Sequence, residues 1–218
     1  GADHHGYVPR MKAALTALGL DADRLDIVIM QMVRLVRDGE TIKLSKRSGK
    51  AITLNTLLDE VPIDAARFFF NLREPNSHFD FDLDLAAKQS SENPVYYVQY
   101  AHARICSILS KAKEQGFEMT IPSVEELNAL NSSEERELIS HLANLTDEII
   151  SAAKGYDPAK ITHYVVELAT LFHKFYNAQR VMVDDKKLMN ARLYLCTAVK
   201  STIKNILTML KIDAPESM

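Results

Sequence analysis

The run Asn93-Pro94-Val95-Tyr96-Tyr97-Val98-Gln99-Tyr100-Ala101-His102-Ala103-Arg104-Ile105 constrains this chain more than any other stretch. It predicts the start of a helix. Asn93 suits the cap, and Pro94 suits the first helical position, where no amide donor is needed and φ is already right. Val98, Ala101, Ile105 and Ile108 recur at helical spacing and mark a core stripe. At 100° per residue, Tyr97, Tyr100 and Arg104 fall within about 60° of one another beside that stripe. One edge of a core-facing helix therefore carries two phenols and a guanidinium. These groups can fill a core margin, with Arg104 paired to a carboxylate. They can equally offer stacking and hydrogen-bonding surface to a partner. Spacing alone leaves both readings open.

Downstream the pattern stays helical. The first helix is expected to run to about Gln115 and stop at Gly116. A short helix is expected over 124–130. Ser132 and Glu135 form a capping box for a helix carrying Leu138, Leu142, Leu145 and Ile149 and ending at Gly155. Asp157-Pro158 opens another, with Ile161, Val165, Leu168, Phe172 and Phe175 inside. Asp184 or Asp185 caps the last, through Leu210. Four long amphipathic helices with short connections make an antiparallel bundle. Near the end of the third, Tyr176 and Arg180 stand at i and i+4 and share a face.

The first 90 residues read differently. The apolar, β-branched stretch 27–37 is followed by Asp38-Gly39, a hairpin signal because a type I′ turn needs positive φ at both centres. Lys43-Leu44-Ser45-Lys46-Arg47-Ser48-Gly49-Lys50 is half basic and otherwise rich in Ser and Gly. Such a loop can bring ammonium and hydroxyl groups to a polyphosphate, or simply be a solvated turn. Asn55 and Asp64 are expected to cap two helices, the second burying Phe68, Phe69 and Phe70. The stretch 74–84 reads as a loop and a natural boundary. The adjacent His4 and His5 have no third ligand at sensible spacing, so no metal site is expected. Cys106 and Cys196 lie far apart in apolar runs and read as buried thiols, not a disulfide.

These pieces resemble one family in five separate places. Residues 93–105 are similar to the NPVYYVQYAHAR-like hallmark of bacterial-type arginyl-tRNA synthetases, at the head of their anticodon-binding helical domain. Gly1 to Tyr7 resembles the GADHHGY turn of their class I catalytic domain. Lys43 to Arg47 resembles the KMSKS signature, with Leu for Met and Arg for the final Ser. The Phe175-Tyr176-Asn177 run, and a terminal Met218 after a Pro-Glu pair, resemble the same domain. The resemblance implies a mainly α fold: residues 89–218 as an antiparallel helix bundle, the anticodon-binding domain. Residues 1–88 would be an α/β remnant of a Rossmann-type catalytic domain with a small β-hairpin. It implies catalytic roles at the phosphate loop for Lys43, Ser45 and Lys46, and an ATP/arginine-site border at Asp3, His4 and His5. Tyr97, Tyr100, Arg104, Tyr176, Asn177, Arg180 and Met218 would contact the tRNA anticodon. ATP and Mg²⁺ would serve the parent enzyme, with none tightly held by this piece. The family's HIGH-type motif is not in these residues and is expected upstream, so the chain alone is expected not to activate arginine.

Composition sharpens that picture. Residues 92–218 hold 14 Lys/Arg against 16 Asp/Glu, so this part lacks the bulk basicity that grips nucleic acid by charge alone. RNA contact must rest on a local patch, and no DNA partner is expected. No apolar run reaches membrane-spanning length and no signal peptide is evident, which points to the cytoplasm. Two other readings fit parts of the chain. One is another class I synthetase of the same subclass, which the 43–47 and 64–70 segments allow. The other is a non-enzymatic helical tRNA-binding module, against which the phosphate loop argues.

Overall fold

The computed structural model describes residues 1–42 and 53–218. After a single turn at Ala2–His4, α1 spans Tyr7–Ala17 and closes at Gly19, whose φ of 74° is the left-handed geometry glycine takes without penalty. Strand β1 (Val33–Arg37) turns through Asp38 and Gly39 into β2 (Glu40–Thr41). Both turn residues have positive φ, 53° and 75°, as the two-residue hairpin requires.

The stretch 74–84, expected as a loop, instead supplies strand β3 (Phe79–Asp82), which lies parallel to β1 with Val33 opposite Phe79 and Leu35 opposite Phe81. The sheet order is β2-β1-β3. The physical reason is a period of two: Phe79 and Phe81 are buried, while Asp80 turns outward to a two-pronged ion pair with Arg34 at 2.6 and 3.0 Å. Asp and Pro nearby mask that alternation in the sequence, and the pairing strand is 46 residues away.

Helix α2 (Leu54–Glu60) is capped by Thr53, not Asn55, through the Thr56 amide at 3.2 Å. Helix α3 (Ile63–Phe70) starts after Pro62, so Asp64 sits in its first turn and keeps its carboxylate free for a tertiary role. Phe68 and Phe69 are buried, but Phe70 is 42% exposed. Three consecutive positions sweep about 200° of a helix and cannot all face one core. The short α4 (Leu83–Ala87) is capped by Asp82.

The remainder is the bundle: α5 (Pro94–Glu114), α6 (Val124–Asn128), α7 (Ser133–Ala143), α8 (Leu145–Gly155), α9 (Ala159–Ala178) and α10 (Lys186–Met209). The helix expected from Ser132 to Gly155 is two helices. The Asn144 amide bonds back to the His141 carbonyl, three residues earlier, and this tight turn lets both α7 and α8 lie on α9. The left-handed residue that ends α8 is Tyr156, with φ of 51°, rather than Gly155. Its hydroxyl donates to Asp26 at 2.7 Å.

The core lies where α5, α9 and α10 meet. Val98, Ala101 and Ile105 face Val165, Leu168, Phe172, Phe175, Val199 and Ile203, all removed from solvent. Each such large side chain stabilises the fold by about 1.5–3 kcal/mol relative to exposure. The small sheet and α3 continue the same apolar core onto the first turns of α5. Cys196 is buried and its thiol pKa is pushed up to about 12 by burial. Cys106, expected buried, is only half-buried. No helix among the described residues is long and apolar enough to cross a membrane.

Candidate nucleic-acid interface

Helix α5 organises the site because Asn93 at its cap and Gln99, His102 and Arg104 in its first three turns each have a separate task. Asn93 caps the helix through the Val95 amide at 3.2 Å, and its side-chain nitrogen donates to the Ala86 and Lys88 carbonyls. Gln99 donates to the Asp64 carboxylate and to the Asp213 carbonyl, both at 2.9 Å. The His102 Nδ1 lies 2.8 Å from the Pro215 carbonyl, which can only accept, so the imidazole donates from that nitrogen. These bonds lay residues 213–218 along α5 and bring Met218 to its exposed edge. Burial lowers the His102 pKa, with Lys200 and Lys204 adding to the fall and the Pro215 bond opposing it.

On that edge Arg104 lies between two rings. Its guanidinium carbon is 4.8 Å from the Tyr100 ring centre and 4.9 Å from the Tyr176 ring centre, and it donates to the Tyr100 hydroxyl at 2.7 Å. The two tyrosines come from α5 and α9, and each is 37% exposed, with the rest of each ring packed. They flank a groove of about 600 Å³ whose rim also carries Lys111, Arg180 and Met218 and no Asp or Glu side chain. Stacking faces, fixed donors and local positive charge in one concavity are what unstacked RNA bases and their phosphates require.

Of the seven residues expected at this surface, five line the groove: Tyr100, Arg104, Tyr176, Arg180 and Met218. Two do not. Tyr97 packs its ring 4.8 Å from His173 and opens instead on a smaller cleft with Ser91, Tyr96 and Tyr100. Asn177 is exposed and does not line the groove. Arg180 reaches the groove by a different route from the shared helix face expected of it. Helix α9 ends at Ala178, Gln179 is extended, and the departing backbone returns Arg180 to the groove.

Spacing does not single out three residues that hold this arrangement. Gln99 and His102 anchor the tail. His173 lies beneath the tyrosines, stacked at 28° to Tyr100 with 5.9 Å between ring centres. Burial, helped by the Arg104 charge, lowers the His173 pKa to about 4, so it is a neutral ring. The first two could have been noticed as hydrogen-bonding groups interleaved with the core stripe, but their partner lies over a hundred residues away.

At the other end of the chain, Asp3, His4 and His5 sit on an exposed turn, with the His4 ring 5.8 Å from Tyr7. Lys43, Ser45 and Lys46 lie outside the described residues. Among the described residues, no cluster of three or more His, Cys, Asp or Glu side chains is placed to hold a metal ion.

A helix bundle with stacking rings and cations gathered on the free edge of its leading helix defines a class: a helical domain with an interface suited to a splayed RNA loop. Residues 98–218 match the DALR anticodon binding domain, and the chain belongs to that family. It is 55% identical over 219 residues to an arginine–tRNA ligase of Desulfitobacterium hafniense, which it covers to 39% while itself being covered in full. The chain thus spans about two fifths of the length of the curated relatives it matches. Its fold is similar to a Thermus thermophilus arginyl-tRNA synthetase, with TM-score 0.79 and 26% identity over 97% of this chain and 39% of that one. A Campylobacter jejuni structure with a provisional arginyl-tRNA synthetase assignment superposes with TM-score 0.84 and 35% identity, over all of this chain and 46% of that one.

Proposed function

We propose that this chain is the part of an arginine–tRNA ligase that reads the anticodon loop of arginine-accepting tRNA and carries the enzyme's phosphate loop. The observation that carries the reading is Arg104 held between Tyr100 and Tyr176 in a groove rimmed by cations, within a domain of the anticodon-binding family. Two or three bases stacked on such rings contribute about 1–3 kcal/mol each. That is enough to bind RNA on a domain with no excess of basic residues. Arg104, Lys111 and Arg180 meet the phosphates locally.

The whole enzyme would join arginine to ATP and then pass it to the tRNA, in the cytoplasm. Attack of the arginine carboxylate on the α-phosphorus needs positioning and charge stabilisation, not a covalent nucleophile. Lys43 and Lys46 would hold the phosphates and the departing pyrophosphate, with Ser45 beside them and Mg²⁺ neutralising charge when bound. Asp3, His4 and His5 would border the arginine and adenosine sites. Support for these roles is the register of the two lysines and the serine with the family's signature.

The test is affinity for a panel of purified tRNAs, with Tyr100→Ala and Tyr176→Ala beside the parent chain. Each substitution is expected to weaken cognate binding by about 1–3 kcal/mol, with less loss against a tRNA of altered anticodon. Unchanged affinity in the folded variants would show that the rings serve packing only. Equal losses for both tRNAs would reduce them to backbone positioning.

A further inference from the structure

Beyond Tyr176 of α9, the groove wall facing α5 is not helical. Helix α9 stops at Ala178, Gln179 is extended, and Gln179, Arg180, Val181 and Met182 form that part of the wall in irregular backbone, with only one of them, Val181, buried. What fixes it lies underneath, on α10. Arg192 is 9% exposed and pairs through Nε with Glu135 at 2.7 Å, itself 1% exposed. The other two arms of the guanidinium leave α7 and reach the wall. Nη1 donates to the Arg180 carbonyl at 2.7 Å, and Nη2 to the Gln179 side-chain oxygen at 3.1 Å. The second oxygen of Glu135 accepts from the Ser132 amide at 2.9 Å, closing the cap of α7.

A buried ion pair of this kind is weak evidence for stability, since apolar side chains of similar volume often serve as well. What apolar side chains cannot do is present three donors in a rigid plane. One arm here is tied to a helix start and two to an irregular segment. Arg192 does not line the groove, and its guanidinium is taken up by Glu135, the Arg180 carbonyl and the Gln179 side chain.

We infer that Arg192 is a positioning residue for RNA recognition: anchored on Glu135, it fixes the Gln179–Arg180 backbone and so aims the Arg180 guanidinium into the groove. This rests on the groove being the RNA site. The family of substrates it concerns is an unpaired loop whose base edge or phosphate meets Arg180.

The test is a double-substitution cycle in the full chain, with an arginine-accepting tRNA transcript as the probe. Arg192→Lys keeps the charge and the Glu135 pair but loses the fork. It is expected to weaken binding about tenfold, the size of coupling common within one hydrogen-bond network. Adding Arg180→Ala should then cost little more. Trypsin cleavage after Arg180 should speed up selectively, relative to cleavage after Lys113, which a general loss of stability would not produce. If Arg192→Lys does not fold, Arg192→Met with Glu135→Gln is the second variant. It removes both buried charges and keeps a residue the capping box accepts, and the same losses are expected. Wild-type affinity in either folded variant overturns the inference, as does a loss fully additive with Arg180→Ala. Arg180→Ala that binds like the parent overturns the groove reading itself, and Arg192's part in binding with it. Arg180→Ala that weakens binding beside an Arg192→Lys that does not overturns the positioning role alone.

Discussion

In residues 1–32 no side chain is buried, and Leu18 and Met32 are each 74% exposed, whereas α5, α9 and α10 enclose Val98, Phe172, Phe175 and Ile203 completely. The segment 3–32, which carries the Asp3–His5 turn, thus has the least core of its own. Its Asp26 reaches the bundle through Tyr156, and Gln31 donates to the Pro75 carbonyl. The bundle instead carries its site on the same helices that carry its core, so Tyr100 and Tyr176 are aimed by the packing behind them. Recognition by groups on rigid elements needs only a groove. Chemistry at a loop needs neighbours to hold it.

The contrast is broken most easily by truncating a side chain in each region. Phe172→Ala is expected to lower stability by about 3–5 kcal/mol in urea denaturation. Met11→Ala on α1 should stay within about 0.5 kcal/mol, as for surface changes that open no cavity. Similar losses at both positions would mean that α1 is packed as firmly as α9.

The next largest effect separates chemistry from recognition. In a full-length ligase containing this chain, Lys46→Ala is expected to cost about 2–4 kcal/mol in arginine-dependent ATP–pyrophosphate exchange, the scale of one transition-state charge contact. Affinity for tRNA should not change. An unaltered exchange rate would remove the phosphate-loop assignment and leave the bundle's reading intact.

The smallest effect comes from two buried imidazoles in the bundle. Burial lowers the pKa of His102 and takes that of His173 to about 4, below the ordinary 6.5. Between those values the unfolded chain binds more protons than the folded one, so stability rises with pH. The contribution is complete above about 6.5 and is lost as pH falls toward 4. Urea midpoints at pH 7.5 and pH 5 should therefore differ, and His173→Gln should shrink the difference. A midpoint that does not move with pH would mean that these rings titrate in the fold as they do in the unfolded chain.

The sequence made the local signals legible. The Asn93 cap, the Ser132–Glu135 box, the Asp38-Gly39 turn and the α5 stripe all depend on residues a few positions apart, and each formed. Tyr100 and Arg104 share an edge of α5 because their spacing is fixed by helical pitch, whereas the expectation that Tyr176, Arg180 and Met218 join them comes from the family resemblance and not from spacing. The misses share a different cause. Strand β3 needed a parallel partner far upstream, the break at Asn144 answers to the surface of α9, and Arg180 arrives from beyond a helix end. The neighbours of Asp64 suit a helix cap, yet its carboxylate is used across the molecule by Gln99 and the Asp213 amide. Distance in the chain, not weakness of the interaction, hid these contacts.

The two phenols beside Arg104 have an optical consequence. The chain has 8 tyrosines and no tryptophan, so its ultraviolet emission comes from tyrosine alone. Two of those emitters flank the groove, where a base sliding over either ring would quench it directly. The protein therefore carries its own unlabelled reporter, and loss of the quenchable fraction in Tyr100→Phe or Tyr176→Phe would show which ring a ligand meets first.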